Sequence, residues 1–331
     1  MEVRIFKLQS PKLKIEVLNY GGIIKSIETP DKNNDFENVV LGYEDIDLYK
    51  SNPNYLGSLI GRTAGRIYNG EFILNNKKYT LAKNNNSHHL HGGIKGYNKV
   101  FWEVLDYTDD RILLSYTSKD GEEGYPGKLE IEVEYRIEND DELVIEYKAV
   151  TDKDTLVDLT QHSYFNLSGN YKRTSLEHDI KIPAKYFMEL DKDGMITESK
   201  KSVTDTSFDF NELKNIKANI DIENEQIKYA NGGYDHAFLL NDSGNIEVYD
   251  KISGRKMTIN TDAPAVVFYN STQMDEDMEL TGSVKSQKFL GVCLETQNIP
   301  NAVNFDSFKS PVLKMGETFT TKTVYKFTVE K

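Results

Sequence analysis

Along Lys128–Glu138 (KLEIEVEYRIE), Leu129, Ile131, Val133, Tyr135 and Ile137 alternate strictly with charged residues. A helix of 3.6 residues per turn cannot gather that pattern onto one face, whereas an extended strand does so automatically. In water such a segment has one good solution, a half-buried strand of an antiparallel sheet with its apolar side on a core and its charges in solvent. Glu142–Val150, Arg111–Thr117, Leu13–Asn19, Glu247–Lys251 and Thr318–Val329 read the same way. Turn clusters such as Asn139-Asp140-Asp141 and Asn241-Asp242-Ser243-Gly244 separate them. Twenty Tyr and 15 Phe suit a pleated surface. Helical spacing is confined to Asn211–Ala218 (NELKNIKA) and a turn near Glu44–Tyr49, and no strand–helix–strand alternation is present. The class is therefore all-β, mainly antiparallel, in stacked sheets. No linker, composition shift or repeat divides the chain, so residues 1–331 are expected to form one domain, with polar Lys192–Asn231 its loosest excursion.

Fifty-three acidic against 40 basic side chains give a formal charge of −13, with Lys and Arg scattered among the acids. A nucleic-acid surface needs a basic stripe, so that class of partner is set aside. Cys293 is the only cysteine, which excludes an intrachain disulfide and suits a reducing compartment. The opening MEVRIFKLQSPKLK has no apolar leader segment, and no stretch reaches the ~20 apolar residues of a membrane helix. The expectation is a soluble cytoplasmic protein with no membrane partner.

Histidine is the informative residue, because His88, His89 and His91 fall together in NNNSHHLHGG. Two histidines two apart on an extended segment share a face, as metal ligands would. A metal site would also need a carboxylate or cysteine partner, and the following GGIKG offers none, so no metal is assigned. The Gly92-Gly93 pair suggests close backbone approach to a ligand. His162, in DLTQHSYFNLSG, is a second natural acid/base, with Tyr164 on its face. In FLGVCLETQ, Glu295 shares a strand face with Cys293 and Gln297, and a partly desolvated carboxylate there would have the raised pKa of a useful general base. His236 reads as packing, His178 as surface and Cys293 as a core thiol.

Taken in order, NYGG (Asn19–Gly22), GRTAGRI (Gly61–Ile67), HLHGG (His89–Gly93), HSYFNL (His162–Leu167), YDHAF (Tyr234–Phe238) and LETQ (Leu294–Gln297) resemble the aldose 1-epimerase, or galactose mutarotase, family over nearly the whole chain. The resemblance implies a single-domain β-sandwich of large twisted antiparallel sheets, the galactose mutarotase-like supersandwich, binding a sugar in an open cleft. It implies Glu295 as general base, His162 as general acid and His91 as a second catalytic histidine. Arg66 and Asp235 would bind sugar hydroxyls, and His89 would either orient its loop or touch substrate. Gly65 and Val267 depart from the family by standing where relatives carry polar residues. Aromatic faces such as Trp102 are candidates for stacking on the sugar.

Base removal of the C1 hydroxyl proton with acid protonation of the ring oxygen needs no cofactor. The expected activity is therefore interconversion of α and β anomers of free aldohexoses such as galactose and glucose. Three alternatives stay open. A hexose 6-phosphate epimerase would want clustered cations, and only Arg62 and Arg66 sit near the motifs. A catalytically silent sugar-binding module needs no acid/base pair. A glycosidase generally wants two carboxylates flanking the bond. Monomer and weak homodimer are equally compatible with the sequence.

Overall fold

A computed structural model of the chain describes residues 2–241 and 244–330. Asp242 and Ser243 of the expected turn at Asn241–Gly244 lie outside the described residues. The alternating segment forms the strand Leu129–Glu138, third in a nine-stranded sheet. That sheet runs Glu103–Tyr107, Arg111–Ser118, Leu129–Glu138, Glu142–Thr151, Thr318–Val329, Arg255–Thr261, Ile246–Tyr249, Asp179–Lys181 and Lys214–Asn215, antiparallel throughout. Cross-strand neighbours such as Val133 with Tyr147 and Tyr135 with Ile145 match aromatic to β-branched side chains, a favourable pairing on a pleat. The strand Thr318–Val329 pairs on one side with Glu142–Thr151 and on the other with Arg255–Thr261, so the end of the chain joins strands far apart in sequence.

A six-stranded antiparallel sheet runs Tyr164–Phe165, Val292–Gln297, Ala265–Tyr269, Asp235–Leu240, Ala184–Leu190 and Ile196–Ser202. Strand alternation divides its side chains between two faces. Phe165, Val292, Leu294, Val266, Phe268 and Phe238 join Ile131, Val133, Tyr325 and Phe327 of the large sheet in the main core. Each such side chain contributes about 1.5–3 kcal/mol of transfer free energy. The opposite face carries Tyr164, Glu295, Gln297, Val267, Tyr269 and Asp235, all lining a cleft. Because two of the central strands are buried on both faces, their sequences AVVFY and VCLETQ are largely apolar; Tyr269, Glu295 and Gln297 face the cleft, and Thr296 points the other way, its hydroxyl 2.7 Å from that of Thr323 in the large sheet.

Among the described residues only two short α-helices occur, Ile216–Asn219 and Glu225–Tyr229. The expected helix over Asn211–Ala218 is thus a correction: Lys214–Asn215 is a strand, and the Asn215 side chain accepts the Ala218 N–H, starting a single turn there. The turn near Glu44–Tyr49 is a 3-10 helix at Ile46–Lys50, capped by Asp45. Lys192–Asn231 is also better ordered than its polarity suggests. Ile196–Ser202 pairs with Ala184–Leu190, and Phe208 and Phe210 bury themselves, Phe208 stacking on Phe187 at 3.9 Å between ring centres. No helix among the described residues is long and apolar enough to cross a membrane.

Candidate active site

The cleft lies on the face of the six-stranded sheet that turns away from the core. It encloses about 940 Å³ of space, its open mouth included. Glu295 projects into it from Val292–Gln297 with only 3 % exposure. Oε1 lies 3.5 Å from His162 Nε2, and Oε2 has no protein partner. Burial, reinforced by the nearby Asp235 charge and opposed by Arg66, holds the carboxyl well above the usual carboxylate range.

His162 ends the short strand Thr160–His162, which pairs with Ser58–Ile60. Its ring sits between Tyr164, 5.1 Å away, and Tyr55, 5.9 Å away. Burial pushes its pKa down to about 4, only partly offset by its own backbone carbonyl. His91 stands nearly perpendicular to it, ring centres 5.3 Å apart. The Gly65 N–H donates to His91 Nδ1 at 3.2 Å. Since that nitrogen accepts, the neutral ring carries its hydrogen on Nε2. Burial, with His162 and Arg66 adding, keeps His91 uncharged.

Arg66, on the two-residue strand paired with His89–Leu90, gives its Nε–H to Asn85 Oδ1 at 3.1 Å and sets Nη1 3.9 Å from Asp235 Oδ2. Burial raises the Asp235 carboxyl and Arg66 lowers it. Glu295, His162, His91, Arg66 and Asp235 therefore meet in one cleft although they come from separate segments.

His89 does not join them, which corrects its assignment as a substrate contact. Its Nδ1 lies 2.7 Å from the Ala82 carbonyl and its Nε2 2.7 Å from the Tyr125 hydroxyl, so both nitrogens are occupied inside the protein. The shared face expected for His89 and His91 fails because His91 has φ 49°, outside the extended range. Gly92 is needed for close approach to the protein's own backbone, not to a ligand: a Cβ there would sit 1.7 Å from the Gly61 carbonyl oxygen. Trp102, 1 % exposed, donates its indole N–H to the Tyr97 carbonyl in the core and cannot stack on a cleft ligand. His178, expected at the surface, is fully buried, its Nε2 accepting the Leu167 N–H. His236 packs between Phe187 and Phe208.

His91, His162 and Glu295 bring donor atoms within 4.8 Å of one another, a set that resembles a His₂Glu zinc site. The tautomer argues against it. A metal-bound histidine donates its other N–H to an acceptor, but His91 Nδ1 faces the Gly65 N–H donor, leaving Nε2 without a lone pair for a metal. Sequence reasoning missed Tyr55, Asn85 and Gln297 as lining residues, and also the hairpin contribution of Leu190, Gly194, Met195 and Ile196. Of these only Gln297 was signalled, by its place on the Glu295 face. Gly65 and Val267, the two departures from the family pattern, both line the cleft.

A family model described as aldose 1-epimerase matches residues 4–326. Galactose mutarotase from Bos taurus is 35% identical over 331 residues, spanning 99% of this chain and 94% of that protein. Aldose 1-epimerase from Escherichia coli is 30% identical over 323 residues, spanning 96% and 92% respectively. Among solved structures, an aldose epimerase homologue from C. elegans superimposes with TM-score 0.90 at 27% identity, each chain covered in full. Galactose 1-epimerase from Lactobacillus acidophilus gives TM-score 0.88 at 27% identity over 100% of this chain and 96% of the other. The antiparallel sheets, the cleft on the free face and these full-length matches lead to one conclusion: the chain belongs to the aldose 1-epimerase family.

Proposed function

We propose that this cleft interconverts the α and β anomers of free aldohexoses such as galactose and glucose. The observation that carries the reading is the buried pair Glu295 and His162, 3.5 Å apart, with one carboxylate oxygen free to meet a ligand. Glu295 takes the proton of the C1 hydroxyl while His162 gives a proton to the ring oxygen. The C1–ring oxygen bond breaks with its electron pair moving to that oxygen, and C1 becomes an aldehyde. Rotation about C1–C2 presents the other carbonyl face, and the same two groups run the transfer backwards. Each positioned proton transfer supplies about 10² to 10⁴ in rate.

The pair holds one proton in either half of the cycle: on His162 with a ring-closed sugar, on Glu295 with the open chain. Burial raises Glu295 and lowers His162, favouring the second distribution, so the aldehyde is met by a protonation state suited to it. His91 offers Nε2–H to a sugar oxygen, Arg66 donates to hydroxyls and Asp235 accepts from them.

Free sugars fit better than sugar phosphates. Arg66 is the one Lys or Arg among the described residues lining the cleft, and it faces Asp235. Arg62, the second cation expected near the motifs, is 2 % exposed and donates to the Pro126 and Gly127 carbonyls and to Ser118. Retention of an acid/base pair argues against a silent binding module. The reading takes residues 1–331 as one domain, supported by the joining role of Thr318–Val329, and a cytoplasmic location, supported by the single buried thiol. Proton NMR of the anomeric signals of fresh α-galactose, α-glucose and α-glucose 6-phosphate tests it. Acceleration of the free sugars is expected; faster turnover of the phosphate would reject the free-sugar reading, and binding without acceleration would favour the module.

A further inference from the structure

If the Glu295/His162 reading holds, His162 must exchange its proton at one nitrogen only. With the sugar closed, Nε2 carries a proton for the ring oxygen; with the sugar open, Nε2 must offer a lone pair to the C5 hydroxyl. The neutral ring can offer that lone pair only if its hydrogen sits on Nδ1. A neutral ring with Nδ1 bare would keep its hydrogen on Nε2 and could not take the proton back. Nδ1–H therefore needs an acceptor present in both halves of the cycle.

Nδ1 of His162 lies 3.5 Å from Sγ of Cys293, and both residues are buried, at 4 % and 0 % exposure. The Tyr164 hydroxyl, close by, donates elsewhere, to the Asn54 carbonyl at 3.0 Å; the other acceptor beside the ring is His162's own backbone carbonyl, which Cys293→Ala leaves in place and so separates from the sulfur. Cys293 and Glu295 are two residues apart on one strand, so thiol and carboxylate leave the same face with roots about 6.6 Å apart. The imidazole bridges that interval, with Nδ1 toward the sulfur and Nε2 toward the carboxylate. We propose that Cys293 is a positioning residue, its sulfur accepting from Nδ1–H and confining proton exchange to Nε2. The partner's chemistry matters as well as its place. A carboxylate behind the ring would stabilise the imidazolium and make His162 more basic. A neutral thiol orients the ring with little such effect, leaving the proton free to pass to Glu295. The thiol stays neutral because burial and the neighbouring Glu295 and Asp235 charges hold its pKa well above the usual thiol range.

The test uses the whole protein labelled with ¹⁵N-histidine, comparing the native chain with Cys293→Ser and Cys293→Ala, the His162 signals being assigned from His162→Asn. One-bond and long-range ¹⁵N–¹H correlation reads the tautomer independently of turnover, so a failure of this inference is distinguishable from a failure of the mutarotase reading. The Nδ1–H form is expected in the native chain and in Cys293→Ser, whose hydroxyl also accepts. Cys293→Ala is expected to populate Nε2–H, with kcat about tenfold lower, a fraction of what one general acid supplies, and KM unchanged. Cys293→Ser should restore most of that kcat. The inference is overturned if Cys293→Ala keeps the Nδ1–H tautomer, or if Ser and Ala lower kcat alike while shifting KM, as a packing role would.

Discussion

Gly65 donates its backbone N–H to His91 Nδ1 across 3.2 Å, and this one bond decides what His91 can do. The residue at position 65 has φ +69°, and a Cβ there would lie 2.7 Å from Pro300, so glycine is the residue that brings this N–H to the ring without strain. His91 is thereby a hydrogen-bond donor to the cleft.

Replacing His91 with Ala is expected to lower kcat/KM about ten- to a hundredfold, the equivalent of ~1.5–3 kcal/mol for a hydrogen bond to a group carrying charge. Because the tautomer disfavours metal ligation, exhaustive chelation is expected to leave the native rate unchanged. A rate lost on chelation and restored by zinc would contradict the assignment of His91 as donor.

Asp235 stands near Glu295 and helps raise its pKa, second only to burial. Asp235→Asn removes that negative charge, so Glu295 should give up the pair's single proton more readily and the alkaline fall of kcat should move to lower pH. The same variant should raise KM through a lost hydroxyl acceptor. An alkaline limb that stays in place or moves upward in the pH–rate profile would show that Asp235 does not act on Glu295.

The large sheet was legible because its strands advertise themselves. Leu129–Glu138 and Thr318–Val329 carry period-two alternation, and the structure begins and ends them within a residue of the sequence reading. Ile196–Ser202 and the aromatics Phe208 and Phe210 were not legible, since a polar edge strand and two isolated rings acquire meaning only from the partners Ala184–Leu190 and Phe187. At the site, strand alternation alone put Glu295 and Gln297 on one face. That His162 and His91 meet them depends on long-range pairing that residue spacing does not encode, and here the family resemblance supplied the expectation. His89 misled because equal spacing was read as equal direction, while the positive φ of His91 turns one ring into the cleft and leaves the other on Tyr125. His178 misled because polar neighbours in sequence need not be neighbours in space.

Five buried histidines set the acid limit of stability. Burial lowers His89, His162 and His178 from 6.5 to about 4 and His236 to about 3, and holds His91 well below 6.5. As pH falls from 6.5 toward 4 the unfolded chain takes up protons on these residues while the folded chain does not, so stability declines across that window. Asp158, raised by burial to about 7, has the opposite sign and favours the folded state as pH falls, as do the raised carboxyls of Glu295 and Asp235. The five histidines outnumber these three carboxyls, and a Tm falling from pH 6.5 to 4 is expected. His236→Phe, in its aromatic surroundings, should flatten that decline; a Tm independent of pH over the window would count against neutral buried histidines.

The central claim is that Glu295 and His162 open and close a sugar ring by passing one proton between them. Polarimetry on freshly dissolved α-galactose and α-glucose, comparing the native protein with Glu295→Gln, tests it most directly. The account predicts rapid approach to anomeric equilibrium with the native chain and a loss of at least about 10² in kcat with the variant, sugar binding by titration being retained. No acceleration by the native protein, or near-normal turnover without the Glu295 carboxylate, would contradict it.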